Sequence, residues 1–171
     1  MRQHRMPRRG FSLLEVLIAL LIFSLGLLGM AGLMVVSVKT NQSAYLRTQA
    51  SFLAQSMADR MRGNLAHVND YNGTYSDATA GADPCADGAA CTPAAIVDRD
   101  TRLWSRQLAD SLPNAEAEIE CDGASLGVGA QVGSAPYDGL CTFTIRWDEA
   151  ELESDAAADP AEQTFAWVFQ P

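Results

Sequence analysis

Glu15 is the only charged residue between Phe11 and Val38, and the 23 residues from Val16 to Val38 carry no charge at all. A carboxylate inside so apolar a run costs a few kcal/mol in hydrocarbon and needs a cationic or aqueous partner. Two arrangements supply one. A cut after Gly10 creates an α-amino group at Phe11, about one helical turn from Glu15, and ammonium and carboxylate then neutralise each other out of water. In an uncut chain the carboxyl reaches instead toward the headgroups, water or Arg9. At Arg8-Arg9-Gly10-Phe11 a basic leader meets the apolar run at one glycine, and a cut there leaves the apolar helix whole.

Cys85, Cys91, Cys121 and Cys141 are the other reactive groups, and four cysteines allow three disulfide connectivities. The preferred pairing joins Cys85 to Cys91, closing a tight loop, and Cys121 to Cys141, tying the start of one predicted strand to its neighbour. Zinc competes for the thiols, but two cysteines with five residues between them and no histidine nearby lack ligand spacing. Glu149, Glu151, Glu153, Asp155 and Asp159 could gather calcium, yet without an EF-hand pattern they read first as a solvated loop. No metal or cofactor is expected. His67 is the only histidine beyond the leader, no nucleophile motif accompanies it, and no catalytic residue is assigned. Gly127-Val128-Gly129 lacks the strand-to-helix setting of a dinucleotide site, so the chain is not expected to be an enzyme.

These groups need elements to hold them. The uncharged run covers roughly 34 Å as a helix against about 30 Å of hydrocarbon, enough for one tilted crossing. Arg2, Arg5, Arg8 and Arg9 before it and Lys39 after it predict a cytoplasmic N-terminus and an exported body. Disulfides are permitted on that side. A secretory signal has a shorter apolar stretch with its cleavage site behind it. Here the small residues Gly26, Gly29, Ala31 and Gly32 fall inside the run, and the three glycines read equally as helix-packing surfaces or as ordinary membrane-helix glycines.

Beyond Lys39, Leu46, Ala50, Leu53, Met57 and Met61 recur at helical steps on one face. Arg60 and Arg62 suit a helix C-terminus, and Gly63-Asn64 offers a cap. The spacing predicts one helix from Ser12 to Arg62, about 77 Å long, half of which must protrude from so small a body. Residues 64–92, rich in Asn, Asp, Gly and Thr, read as a long loop in which Asn72-Gly73 is a turn. Thr92-Pro93 begins a shorter helix ending before Pro113. Ala115 to Cys121, Leu140 to Trp147 and Gln163 to Phe169 read as three strands of an antiparallel sheet. The fold class is α+β: a long N-terminal helix packed on a small antiparallel sheet with one shorter helix.

The run Arg9-Gly10-Phe11-Ser12-Leu13-Leu14-Glu15-Val16-Leu17-Ile18-Ala19-Leu20 resembles the class III leader and N-methylation motif of type IV pilins and pseudopilins. The resemblance implies a pilin-like fold, cleavage between Gly10 and Phe11 by prepilin peptidase, methylation of the new amine on Phe11, and a role for Glu15 in entry into a filament. Gly26-Leu27-Leu28-Gly29-Met30-Ala31-Gly32-Leu33, Asn41-Gln42-Ser43-Ala44-Tyr45-Leu46-Arg47 and Met57-Ala58-Asp59-Arg60-Met61-Arg62 extend the likeness, and together resemble the minor pilins of the PilV type. That likeness implies a part in type IV pilus assembly, with the major pilin, other minor pilins and the inner-membrane assembly platform as partners. It divides the chain into a cleaved leader (1–10), a membrane and filament-core helix (11–38), an amphipathic continuation (39–63) and a periplasmic head (64–171). The protein would first sit in the inner membrane and then in the filament, the tip being one of the positions open to it. A minor pseudopilin of type II secretion shares the leader and is the near alternative.

A length of 171 residues with 48% hydrophobic content suits one modest domain. Beyond the first ten residues, eight basic groups face 21 acidic ones, a poor balance for gripping phosphates, and no nucleic-acid partner is expected. From a different class, an unprocessed membrane-anchored binding protein would tolerate the loss of Gly10 or Glu15.

Overall fold

Helix α1 runs from Leu13 to Arg62 in the computed structural model, which describes residues 10–76, 83–86, 90–123, 137–149 and 161–171. No proline interrupts it. Its start is set by the Ser12 carbonyl, which accepts the amides of Glu15 and Val16, and its end by Gly63, whose amide donates to the carbonyls of Asp59 and Arg60. Glu15 in the first turn and Arg60 and Arg62 in the last complement the helix dipole.

The chain divides into two units, one ending at Gln42 and one running from Ser43 to Pro171. In the first, every large apolar side chain from Phe11 to Val38 faces outward, and even the least exposed, Val16, shows 48% of its surface. Such a surface is stable only in lipid or against other apolar chains.

In the second unit α1 buries Leu46, Ala50, Leu53, Ala54, Met57, Ala58 and Met61, one stripe at helical spacing. The sheet contains β1 (Gly73–Tyr75), β2 (Glu116–Cys121), β3 (Cys141–Glu149) and β4 (Ala161–Phe169), antiparallel throughout and in sequence order. On β3, Cys141, Phe143, Ile145 and Trp147 are buried, and Thr142, Thr144 and Arg146 alternate with them on the outer face. Helix α2 (Pro93–Ser111) starts where the Thr92 hydroxyl accepts the Ala95 amide, with proline in its first turn, and it buries Val97, Trp104 and Leu108. Trp104 joins the layers. Its Nε1 donates to the Leu53 carbonyl of α1 at 2.8 Å, Tyr75 of β1 meets its ring edge-on at 5.7 Å, and Phe143 of β3 lies 6.3 Å away. Phe143, Trp167 and Phe169 stack beside it, with the Arg62 guanidinium 5.5 Å over Phe169.

The α+β, pilin-like arrangement agrees with the sequence expectation, but the sheet has four strands, not three. β1 lies within the segment read as a loop, because three residues are too few for alternation to show. A 3₁₀ segment, Leu65–Tyr71, also forms there and buries Val68 and Tyr71. Asn72 then leads the chain onto the sheet. Its Oδ1 accepts the Cys121 amide at 2.8 Å and its Nδ2 donates to the Cys121 carbonyl at 3.2 Å, the two bonds a strand residue would make. Other boundaries move by a residue or two from those expected: α1 begins at Leu13, α2 ends at Ser111, β2 starts at Glu116, β3 spans Cys141–Glu149, and β4 starts at Ala161.

β2 and β3 come closest just beyond their ends, where a Cβ on Gly123 or Gly139 would overlap the other glycine's backbone. Tyr137 closes this corner. Its hydroxyl accepts the Gly123 amide at 2.8 Å and donates to Asn69 Oδ1 at 3.2 Å, while Asn69 Nδ2 donates to the Gly123 carbonyl at 2.9 Å. Gly139→Ala is therefore expected to cost about 1–3 kcal/mol of head stability, read as a lower melting temperature. Gly29→Ala, where the added methyl meets nothing within 4 Å, should leave that melting unchanged.

Candidate functional site

Gly10, Phe11 and Ser12 precede the first helical turn and are exposed, so the Gly10–Phe11 bond lies outside helical hydrogen bonding. A peptidase must reach an unwound backbone, and this one is reachable. One turn on, Phe11, Glu15, Val16, Ala19, Leu20 and Phe23 line a single shallow groove on the first unit. The groove's lining is apolar apart from Glu15. Phe11 and Glu15 thus share one side of the chain, and an amine released at Phe11 would emerge beside the carboxylate. Arg8 and Arg9, the leader charges, lie outside the described residues.

Disulfides join Cys85 to Cys91 and Cys121 to Cys141. Cys121 and Cys141 are direct cross-strand partners, with Cα atoms 4.1 Å apart, at the end of the β2–β3 ladder that leads to the Gly123–Gly139 contact. Cys85 and Cys91, with Cα atoms 5.2 Å apart, clip the chain just before α2. All four cysteines are thus paired as disulfides. Among the described residues no three His, Cys, Asp or Glu side chains converge. Of the acidic segment only Glu149 is described, and its carboxylate accepts the Trp147 Nε1 at 2.9 Å. Gly127, Val128 and Gly129 also lie outside the described residues. His67 sits in the 3₁₀ segment with its Nδ1 2.6 Å from Asp70 Oδ2, a surface pair.

Sequence reasoning missed the polar joint between the two helices. Arg60 Nη1 donates to Asp100 Oδ1 at 2.9 Å, the Tyr71 hydroxyl donates to Asp100 Oδ2 at 3.0 Å, and the Tyr75 hydroxyl donates to the Tyr71 carbonyl at 2.6 Å. Asn64 Nδ2 reaches the Pro93 carbonyl at 2.8 Å. Arg60 had a sufficient local reading as a helix-end cation, and nothing in the spacing points from it to Asp100, forty residues away.

Burial pushes the Tyr75 hydroxyl up to about 12. Tyr71 is also raised, by burial first and then by the Asp100 carboxylate. Both phenols stay neutral in the fold, while in the unfolded chain they ionise near 10. The stability Tyr75 contributes is complete below pH 10 and is lost as pH rises from 10 through about 12, and that of Tyr71 is lost higher still. The melting temperature is expected to fall across that window, and to fall less in Tyr75→Phe.

Two family models match the chain. A prokaryotic N-terminal methylation motif covers residues 5–31, and the type IV pilin Tt1218 model covers residues 32–102. The first contains Gly10 and the groove shared by Phe11 and Glu15; the second contains the amphipathic half of α1, β1 and the first half of α2. No curated protein matches, and neither does any solved structure.

Proposed function

We propose that this chain, which carries a type IV pilin N-methylation motif followed by a Tt1218-like type IV pilin domain, is a minor pilin of the PilV type taking part in type IV pilus assembly. The observation that carries the reading is the placing of Phe11 and Glu15 on one groove at the start of an apolar helix with no protein cover of its own. Prepilin peptidase cuts after Gly10, and the new Phe11 amine is methylated. Arg8 and Arg9 hold the leader on the cytoplasmic side while residues 11–38 cross the inner membrane. On entry into the filament that helix exchanges lipid for the apolar helices of the major pilin and other minor pilins. The amine and the Glu15 carboxylate then lie in a low-dielectric setting where each needs the other or a neighbour's counterpart. The body from Ser43 onward, stapled by its two disulfides, is the periplasmic head, and its role is structural, not catalytic. Handling by the inner-membrane assembly platform follows from this placement.

Shearing surface fibres from cells with and without prepilin peptidase tests the reading. Recovery of the chain in pilus fibres only when the peptidase is present is expected. Recovery only in the membrane fraction, or in fibres of a type II secretion system, contradicts it.

A further inference from the structure

The two edges of the sheet are finished differently. At one edge β1 is three residues long, and the Asn72 side chain takes up the amide and carbonyl of Cys121, the last residue of β2. At the other edge β4 is nine residues long and pairs with β3 without a break from Ala161 to Phe169. From Gln163 to Phe169 it has no charged residue, no proline and no bulge, the devices by which natural sheets blunt an open edge. The Asp122 amide donates to the Leu140 carbonyl, which makes that pair the hydrogen-bonded kind and Cys121–Cys141, with Cα atoms 4.1 Å apart, the close kind. Alternation along β3 then turns the amides and carbonyls of Cys141, Phe143, Ile145 and Trp147 toward the odd-numbered residues of β4. Glu162, Thr164, Ala166 and Val168 turn theirs outward, where nothing meets them among the described residues. Glu162 also lies directly opposite Asp148, a like-charged pair, and makes no ion pair among the described residues. Arg146, the outer-face cation of β3, turns the other way, to Glu116 at 3.5 Å and Glu118 at 3.8 Å.

We propose that the β4 edge is a strand-addition site for an extended segment of a neighbouring pilin, one that sets a lysine or arginine beside Glu162 and apolar side chains beside Phe165 and Trp167. In the filament reading, on which this rests, other pilins surround the chain. A row of outward amides and carbonyls selects an extended backbone, because only another strand satisfies several of them at once. Charge selects its side chains, since a cation beside Glu162 offsets the repulsion from Asp148. Phe165 and Trp167 are partly buried at the margin of the core, and an added strand extends their cover. A second copy of this chain is the wrong occupant. Arg47 of α1 holds Gln163 and Arg62 lies over Phe169, so β4 runs in the direction of α1. The spans agree, about 22 Å along the helix and about 20 Å along the strand. Subunits with parallel helices would therefore pair β4 with β4 in parallel and bring one Glu162 beside another.

A photo-crosslinking residue at position 164 of the full-length chain, in cells that make prepilin peptidase and the other pilins, tests this. The expected product joins it to one extended segment of another pilin, a segment carrying lysine or arginine. Ala166→Pro, which removes an outward amide that the β3 ladder does not use, should lower the yield about fivefold or more. Glu162→Lys should lower it about threefold or more and leave the melting temperature of the head unchanged or higher, because the repulsion with Asp148 is gone. A purely structural role for Glu162 would move yield and melting in the same direction. No crosslink, a crosslink to a second copy or to a helix, or a yield that either variant leaves unmoved overturns the site. The N-terminus of the same sample separates the two claims: a methylated Phe11 without crosslink removes only this contact, and an unprocessed terminus without crosslink removes the filament reading with it.

Discussion

A Glu15→Ala variant is expected to insert into the membrane as well as the parent chain does and to fall about 100-fold or more in pilus fibres. Insertion should not suffer, because the substitution takes a charge out of an apolar helix. Assembly should, because the Phe11 ammonium would then enter a bundle of apolar helices with no carboxylate on its own groove. An uncompensated buried charge costs about 3–5 kcal/mol, and each 1.4 kcal/mol is a factor of ten in partition. Glu15→Gln should behave like the alanine variant, since it keeps shape and loses charge. Immunoblots of membrane and sheared-fibre fractions give the ratio. Equal incorporation of parent and variant would show that the carboxylate serves only to sit near the headgroups.

In the head, Trp104→Ala is expected to have the largest effect, about 3–5 kcal/mol. The ring is fully buried and is where α1, β1, α2 and β3 meet: its Nε1 holds the Leu53 carbonyl, Tyr75 packs edge-on against it, and Phe143 lies behind. Truncation leaves a cavity and removes the hydrogen bond that ties α2 to the Leu53 carbonyl of α1. For a unit of this size the loss corresponds to a melting temperature lower by roughly 10–15 °C. Trp104→Phe, which keeps most of the volume but not the donor, should lie between the two. Far-ultraviolet circular dichroism separates the head transition from α1 helicity in lipid or detergent, and a shift of only a degree or two in the alanine variant would refute the central placing of this ring.

The features legible in the sequence were those with short-range periods. The stripe from Leu46 to Met61, the apolar run before it, and the alternation of Cys141, Phe143, Ile145 and Trp147 each repeat at helical or strand spacing, and α1, β3 and the α+β class follow from them. Glu15 stood out because a lone carboxylate among apolar residues has no bland composition to hide in, and its four-residue distance from Phe11 places both on one groove. β1 was illegible for the opposite reason: it is three residues long, and an asparagine side chain standing in for backbone introduces it. The Arg60–Asp100–Tyr71 joint and the Tyr137–Gly123–Gly139 corner depend on partners far apart in the chain, which each residue's own neighbourhood does not name.

Mass spectrometry of the N-terminal peptide from membrane-extracted protein, with prepilin peptidase present and absent, tests the central claim most directly. The account predicts a terminus at Phe11 carrying one methyl group on its amine, formed only when the peptidase is present. An unprocessed leader, or a cut beyond Val38, would contradict it and favour an anchored or secreted binding protein.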